Sequence, residues 1–442
     1  MSRGRRKRED SRLKTQDLRI RSMDLWIYES IKLLRHRLIG LWVHKLISLS
    51  AYQPISLSAH KLISPLAHKP ISLLTASCVS LCLLLTASDA AADRIADKIF
   101  KQYMRYYVGN GTRSVAGGDL DGDGDTDLVT ANLRTSEVSV FLNNGDGSFS
   151  GGSKYGVQNG PLAMHTSDFD GDGDVDLAVL CFSASKVSIL LNRGTSSLTV
   201  AASYDVAGSP SDLCIGDFNA DGKVDLATAN SNSGDLTVLL NTGEGSFSED
   251  MRIPLPEKPF RIICGDFNND ARPDLAAVSS NSIYILMNSG GETPFADHKA
   301  YDAGRGVQAI AAGDFNGDGN LDLAAVNASS DLWIFFNKGD GSLQQGASYK
   351  AGASPHFLVA MDINRDSKPD LVAANRKSKD LSVFINHGNG TFDQEMRYDL
   401  RTEPSALYAA DLDSDKEGID LAVVSTSAAD LAILINTYRK DR

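Results

Sequence analysis

From Asp119 onward the pattern D-x-[DN]-x-D-x-x-x-D recurs in seven copies, the last one residue longer, with first aspartates at 119, 168, 217, 266, 314, 362 and 411. The steps are 49, 49, 49, 48, 48 and 49 residues, so each copy is one structural unit and insertions between copies are excluded. Every copy reads alike: an apolar stretch, the acidic loop, a run such as DLVTAN, a polar link, a run such as VSVFLN, an N-x-G-x-G-x-F turn and a segment around Tyr. Runs of four to six aliphatic and β-branched residues bounded by Gly, Asn and Asp predict strands, not helices. Four short strands per unit of this length predict a propeller blade, which buries its faces only against its neighbours. The expected fold is all-β, a seven-bladed β-propeller of four-stranded antiparallel blades.

The ends of the array support a closed ring. The seventh copy stops after its third strand, DLAILIN, while an unpaired segment, MRYYV (104–108), precedes the first copy and matches MRYDL at 396–400. Pairing this N-terminal strand into the last blade supplies the missing outer strand and removes exposed sheet edges. The propeller is expected over 104–438.

The acidic loops carry the chemistry. Oxygen ligands at positions 1, 3, 5 and 9 of a loop, with a backbone carbonyl at position 7, suit a hard cation of calcium size. Absence of His and Cys from the pattern disfavours zinc. Loops one (Asp119, Asp121, Asp123, Asp125, Asp127) and two (Asp168, Asp170, Asp172, Asp174, Asp176) are the most acidic. Loops three (Asp217, Asn219, Asp221, Lys223, Asp225) and five (Asp314, Asn316, Asp318, Asn320, Asp322) exchange one carboxylate for Asn and keep glycine at position 6. These four are expected to be the strong Ca²⁺ sites. Loops four (Asp266, Asn268, Asp270, Arg272, Asp274) and six (Asp362, Asn364, Asp366, Lys368, Asp370) place Ala271 and Ser367 at position 6. A positive φ at a non-glycine residue costs about 1–2 kcal/mol, so weaker binding is expected there. Loop seven (Asp411, Asp413, Asp415, Asp420) is one residue longer and is expected to be empty or irregular.

With residues such as GDFNADGKVDLATAN (216–230) and GDFNGDGNLDLAAVN (313–327), the chain resembles the FG-GAP, or VCBS-type, repeat family. The resemblance covers about 104–438 and recurs in every copy. It includes the integrin α-subunit propeller, a fungal lectin and many exported bacterial proteins. The resemblance implies that metals rigidify the hairpin between the first two strands of each blade, and that ligands bind the opposite face.

The region before the repeats needs a separate account. Residues 1–69 are basic and contain an octapeptide repeat with Ile at 31, 39, 47, 55, 63 and 71. Eight residues do not match a helical face and Pro54, Pro65 and Pro70 interrupt one, so a low-complexity segment upstream of the true start is expected. Residues 70–92 combine preceding lysines, an uncharged run from Pro70 to Ser88 and Ala90-Ala91-Ala92, the layout of a signal peptide or a retained membrane anchor. Either places the rest outside the cytoplasm, with 93–103 as linker. The formal charge of −12 hides an acidic propeller, whose carboxylates are mostly in the loops. Such acidity disfavours nucleic acid as a partner.

Of the five cysteines, Cys78 and Cys82 fall in the signal-like run. Cys181, Cys214 and Cys264 are expected to be buried free thiols. Cys214 stands three residues before its repeat's first aspartate and Cys264 two, so on a period-2 strand they point to opposite faces, which argues against pairing them.

Strand order puts the metal loops and N-x-G-x-G turns at one end of the ring. The links between second and third strands lie at the other, with Arg134, Asn230, Asn232, Asn327, Asn375, Arg376 and Lys377 as candidates to contact an extracellular glycan or protein. His165 and His356 lie near the central channel. No G-x-S-x-G or H-E-x-x-H motif occurs, and the fixed repeat length leaves no room for catalytic insertions. A non-enzymatic binding or adhesion module is expected, with a ligand-free structural repeat or a polysaccharide-active enzyme as alternatives.

Overall fold

The computed structural model describes residues 99–438 apart from 291–293, 296 and 417. The octapeptide segment 1–69, the signal-like stretch 70–92 and residues 93–98 of the expected linker lie outside the described residues. Twenty-eight strands form seven four-stranded antiparallel sheets, the blades of a closed propeller. Blade one is β2 (Thr112–Gly118), β3 (Asp127–Asn132), β4 (Glu137–Asn143) and β5 (Phe149–Gly156). The first strands of the other blades are β6 (Pro161–Ser167), β10 (Pro210–Gly216), β14 (Arg261–Gly265), β18 (Val307–Gly313), β22 (Pro355–Met361) and β26 (Pro404–Ala410). Each packs against the first strands on either side, including β26 against β2, so they line the axis.

Blade seven is completed by β27 (Asp420–Ser425), β28 (Asp430–Asn436) and, as its outer strand, β1 (Phe100–Tyr107). The closing strand begins four residues before the expected position, so the linker predicted over 93–103 gives way to strand at Phe100. Ladder pairing runs from Phe100 opposite Asn436 to Tyr107 opposite Asp430. Phe100 is buried at 2% exposure in the core shared by blades six and seven, and this apolar anchor is why the strand starts there. Arg105 ion-pairs with Asp430 and donates to Leu400 O at 2.7 Å. Tyr106 takes the place of the tyrosine in other outer strands: its hydroxyl accepts the Phe149 N–H at 2.8 Å, as Tyr349 accepts that of Phe392 at 2.9 Å. Each ring then packs on the phenylalanine edge-on. The recurring Tyr and the Phe of the N-x-G-x-G-x-F turn are thus two halves of one contact between blades.

Seven apolar clusters occupy the seven interfaces between blades. Side chains alternate across a strand, so a strand sandwiched between two blades must be apolar on both faces. In β7 (Asp176–Cys181), Leu177, Val179 and Cys181 face blade one, while Ala178 and Leu180 face blade three. This is why second strands read as continuous apolar runs.

A polar joint accompanies six of the seven apolar ones. The asparagine at the end of each third strand, such as Asn192, donates its side-chain N–H to Val175 O of its own blade at 3.2 Å and to Leu120 O of the preceding blade at 2.7 Å. The same link to the preceding blade is made by Asn143, Asn241, Asn288, Asn337 and Asn436. Asn143 reaches Leu412 of blade seven, so the ring is closed by this bond as well as by β1.

Cys214 and Cys264 form a disulfide, with Cα atoms 5.9 Å apart, while Cys181 is free and buried. The expectation of free thiols at 214 and 264 is corrected. Cys214 on β10 and Cys264 on β14 belong to neighbouring blades stacked face to face. The side of blade three that looks at blade four is opposite in parity to the side of blade four that looks back. Opposite strand parity, which argued against pairing within one sheet, is what joins two stacked sheets.

A disulfide of this kind is worth about 2–4 kcal/mol. Cys214→Ala with Cys264→Ala is expected to lower the unfolding free energy by that amount in a denaturant titration and to make it insensitive to added reductant, whereas Cys181→Ser, which keeps the disulfide, should lose stability on reduction as the parent does. Asn192→Ala removes the side-chain donor to Val175 O and one of the two donors to Leu120 O, which keeps the Ser196 N–H at 2.9 Å, and is expected to cost about 1 kcal/mol or more. Hydrogen exchange should show faster exchange of backbone amides on both sides of the interface between blades one and two.

Candidate functional site

Each acidic loop joins the first strand of a blade to its second, and two aspartates organise it. The first acts as the loop's cap. In loop one, Asp119 Oδ1 accepts the N–H groups of Gly122 at 2.7 Å and Asp123 at 3.2 Å, and Oδ2 accepts that of Gly124 at 3.0 Å. Wrapping the chain around one carboxylate forces positive φ at positions 4 and 6 in all seven loops. Ala271 and Ser367 adopt the expected positive φ, at 67° and 64°. Position 4 was not read from the sequence. Ala220, Asn269, Arg365 and Ser414 stand there with φ of 54–61°, so loop three carries one strained residue, where loops four, six and seven carry two.

The ninth-position aspartate is buried and structural. Asp127 accepts Leu120 N–H at 2.9 Å on one oxygen and Asn143 N–H at 2.8 Å on the other. The same pair of bonds occurs at Asp176, Asp225, Asp274, Asp322 and Asp370. In loop seven Asp420 accepts Leu412 N–H at 2.8 Å and Asn436 N–H at 2.7 Å. Burial pushes the Asp127, Asp176, Asp225 and Asp322 carboxyls up to about 6, and Asp370 and Asp420 up to about 7. The two backbone donors oppose that rise, and the other carboxylates of each loop add to it.

Carboxylates converge in three loops. Ligand oxygens of Asp119, Asp121 and Asp127 lie within 4.8 Å of one another, as do those of Asp168, Asp170 and Asp176, and those of Asp411, Asp413 and Asp420. Loop seven therefore reaches the same arrangement despite its extra residue, because Asp420 is held by the same two backbone bonds as its counterparts. Its expected irregularity does not extend to these three side chains. Loops three to six carry Asn at position 3 and so bring one carboxylate fewer.

These residues fit a divalent cation. Asp121 Oδ1 and Asp411 Oδ1 are buried with no hydrogen-bond partner, and an unpaired buried carboxylate oxygen is costly unless a cation faces it. The position-5 aspartates are less free. Asp123 Oδ1 and Asp172 Oδ1 accept the N–H of position 7. In loops three, four and six the position-7 side chain is itself a cation folded onto position 5: Lys223 on Asp221 at 2.8 Å, Arg272 on Asp270, and Lys368 on Asp366 at 3.2 Å. Arg193 approaches Asp170 and Asp172 of loop two, at 3.5 and 3.2 Å, from the next turn of the blade.

At the opposite end of the ring, the candidate residues divide. Asn230, Asn327 and Asn375 are buried or nearly so and bond within their own links, Asn230 to Asp235 and Thr237, Asn375 to Asp380 and Ser382. Arg134, Asn232, Arg376 and Lys377 are exposed. His165 and His356 lie on the axial strands; His165 Nε2 is 3.1 Å from Leu213 O of the next blade.

Among the described residues no helix is long and apolar enough to cross a membrane. No curated protein matches this chain. Among solved structures, the crystal structure of BBS1N in complex with ARL6DN, soaked with mercury, matches with a TM-score of 0.57 at 12% identity, covering 77% of this chain and 97% of that one. The same complex soaked with lead matches at 0.56 and 12%, covering 78% and 98%. An Agrocybe aegerita lectin, described for its recognition of non-reducing terminal N-acetylglucosamine, matches at 0.48 and 16%, covering 65% and 80%. At these identities the likeness is one of fold. The family model of the FG-GAP-like repeat matches residues 119–179, 168–228, 217–277, 266–325, 314–373 and 362–417, each window running through one acidic loop into the region of the next. The chain belongs to the FG-GAP-like repeat family.

Proposed function

We propose that this protein is an exported, calcium-stabilised propeller that acts as a non-enzymatic binding or adhesion module, taking a glycan or protein ligand on the face opposite its metal loops. The observation that carries the metal assignment is the convergence of three carboxylates in loops one, two and seven, with buried unpartnered oxygens on Asp121 and Asp411. Oxygen-only donors in a flexible loop favour calcium over magnesium, which keeps its waters, and over zinc. Calcium would neutralise each cluster and join the hairpin between first and second strands to the buried aspartate beneath it. The Cys214–Cys264 disulfide agrees with an oxidising compartment, and so with export.

The ion count follows from the side chains. Loops one and seven have three converging carboxylates and, among the described residues, no cationic side chain paired with them. Loop two has three and shares them with an exposed arginine; loop five keeps both glycines and carries Asn320 in place of a cation. Loops three, four and six have a lysine or arginine where the ion's charge would act. Four ions, in loops one, two, five and seven, are the set this arrangement favours.

The binding role is carried by topology. Metal loops and the turns between third and fourth strands crowd one end of the ring, leaving the axial mouth and exposed Arg134, Asn232, Arg376 and Lys377 at the other.

Native mass spectrometry with excess calcium is expected to show about four bound ions, one fewer in Asp121→Asn; seven equivalent ions would overturn the side-chain account. Chelation is expected to lower the melting temperature, by several degrees for each roughly 2.7 kcal/mol of linkage lost on removing ligand at a hundred-fold excess over Kd. On a glycan array, calcium-dependent saturable binding supports the module reading. Calcium-dependent melting with no ligand on glycan or protein arrays would instead assign a purely structural repeat.

A further inference from the structure

The axis of the ring holds a cavity of about 380 Å³, and Arg113 and Arg261, near the starts of their axial strands, line it toward its mouth on the face opposite the acidic loops. Arg261, from β14, extends across this mouth. Its guanidinium lies 3.9 Å from Asp212 of blade three, 3.4 Å from Gln308 O of blade five and 3.5 Å from His356 O of blade six, over the Phe357 ring at 5.8 Å. Arg113, from β2, also lines the cavity, is half-buried, and among the described residues has no hydrogen bond or ion pair to a protein acceptor. Its nearest charges are repulsive: Arg376 and Arg134 add to burial in holding it below its ordinary value. His356 sits among Arg261, Arg376 and Arg113, and burial with these three charges lowers it to about 4. Four arginines are thus answered by two carboxylates, Asp212 on Arg261 and Glu403 on Arg376 at 3.4 Å. A half-buried guanidinium that faces a cavity without a protein acceptor has its donors free for an anion.

Below the mouth the wall changes character. Leu162, Ala312, Val359 and Ala360 line the cavity with partly exposed apolar side chains, beside the polar His165, Thr166 and Tyr408, a surface that rewards a partly apolar body. We infer that the axial mouth binds a small organic acid, its carboxylate held by Arg113 and Arg261 beside His356 and its body in the apolar part of the channel. The planar guanidinium fork matches a carboxylate in two parallel hydrogen bonds, which sets the orientation. The acid could be free, as an aliphatic carboxylate, or the uronic acid at the end of a glycan chain. This deepens the binding-module reading and rests on its choice of face.

Isothermal titration of the calcium-loaded full chain with hexanoate and with glucuronate, each against its uncharged amide or glucose, tests the site and separates the two sources. Binding of at least one acid is expected, weakened about ten-fold or more by Arg113→Gln and unchanged by Arg305→Gln, a cation on the same face outside the cluster. Arg113 makes no bond to the fold, so its loss should leave the melting temperature in place. The acid should also raise the pH at which the His356 imidazole proton shift titrates, because it neutralises the surrounding charge. No binding of either acid up to about 10 mM, binding indifferent to Arg113→Gln, or inorganic phosphate binding as tightly as the acids would overturn the proposal. An acid that binds while glycan and protein arrays stay blank would keep this site and refute the adhesion role. Array binding untouched by Arg113→Gln would keep the role and remove the site.

Discussion

One buried aspartate in each blade ties the propeller together. Its two oxygens accept backbone N–H groups from the start of the acidic loop and from the asparagine at the end of the third strand, as at Asp127, Asp176 and Asp420. That asparagine then reaches into the preceding blade in six of the seven cases. Loop, hairpin and blade interface therefore depend on a single carboxylate, and the repeat length of 48 to 50 residues is the distance from one such joint to the next. A dehydrated carboxylate is costly even with two donors, which explains its raised proton affinity. A cation over the loop would answer the same cost from the other side.

The loops show how a repeat can diverge while the fold stays fixed. The first and ninth aspartates are present in every loop, or at the tenth position in loop seven, because they hold backbone. Positions 3, 5 and 7 vary, and in three loops a lysine or arginine rests where a metal's charge would act. A built-in cation meets the same electrostatic need that a bound one would, so loops with and without a paired lysine or arginine coexist in one ring. The apolar interfaces need neither, since each blade is clamped between two neighbours by side chains alternating across its strands.

Much of this was legible in sequence. Short aliphatic and β-branched runs at fixed spacing specified strands and blades, and the Tyr of MRYYV marked the closing strand by its likeness to MRYDL. The asparagine of each third strand was in view in all seven copies, yet its reach across the blade interface was not, because a turn residue and an interface donor look alike in one dimension. Loop seven looked out of register by counting, whereas hydrogen bonds to Asp420, not residue number, position its carboxylate. Among the axial residues, Arg113 and Arg261 belong to copies 148 residues apart in sequence, and no local pattern joins them.

The sequence by itself determined what repeats: strand periodicity, turn chemistry and the acidic loops all rest on interactions within a few residues, which local order encodes. Tertiary structure decided what meets between copies. It paired Cys214 with Cys264, because stacked sheets face each other with opposite parity, and it gathered arginines from blades one, four and six around His356. Such contacts depend on how the ring closes, and ring closure is a property of seven blades together.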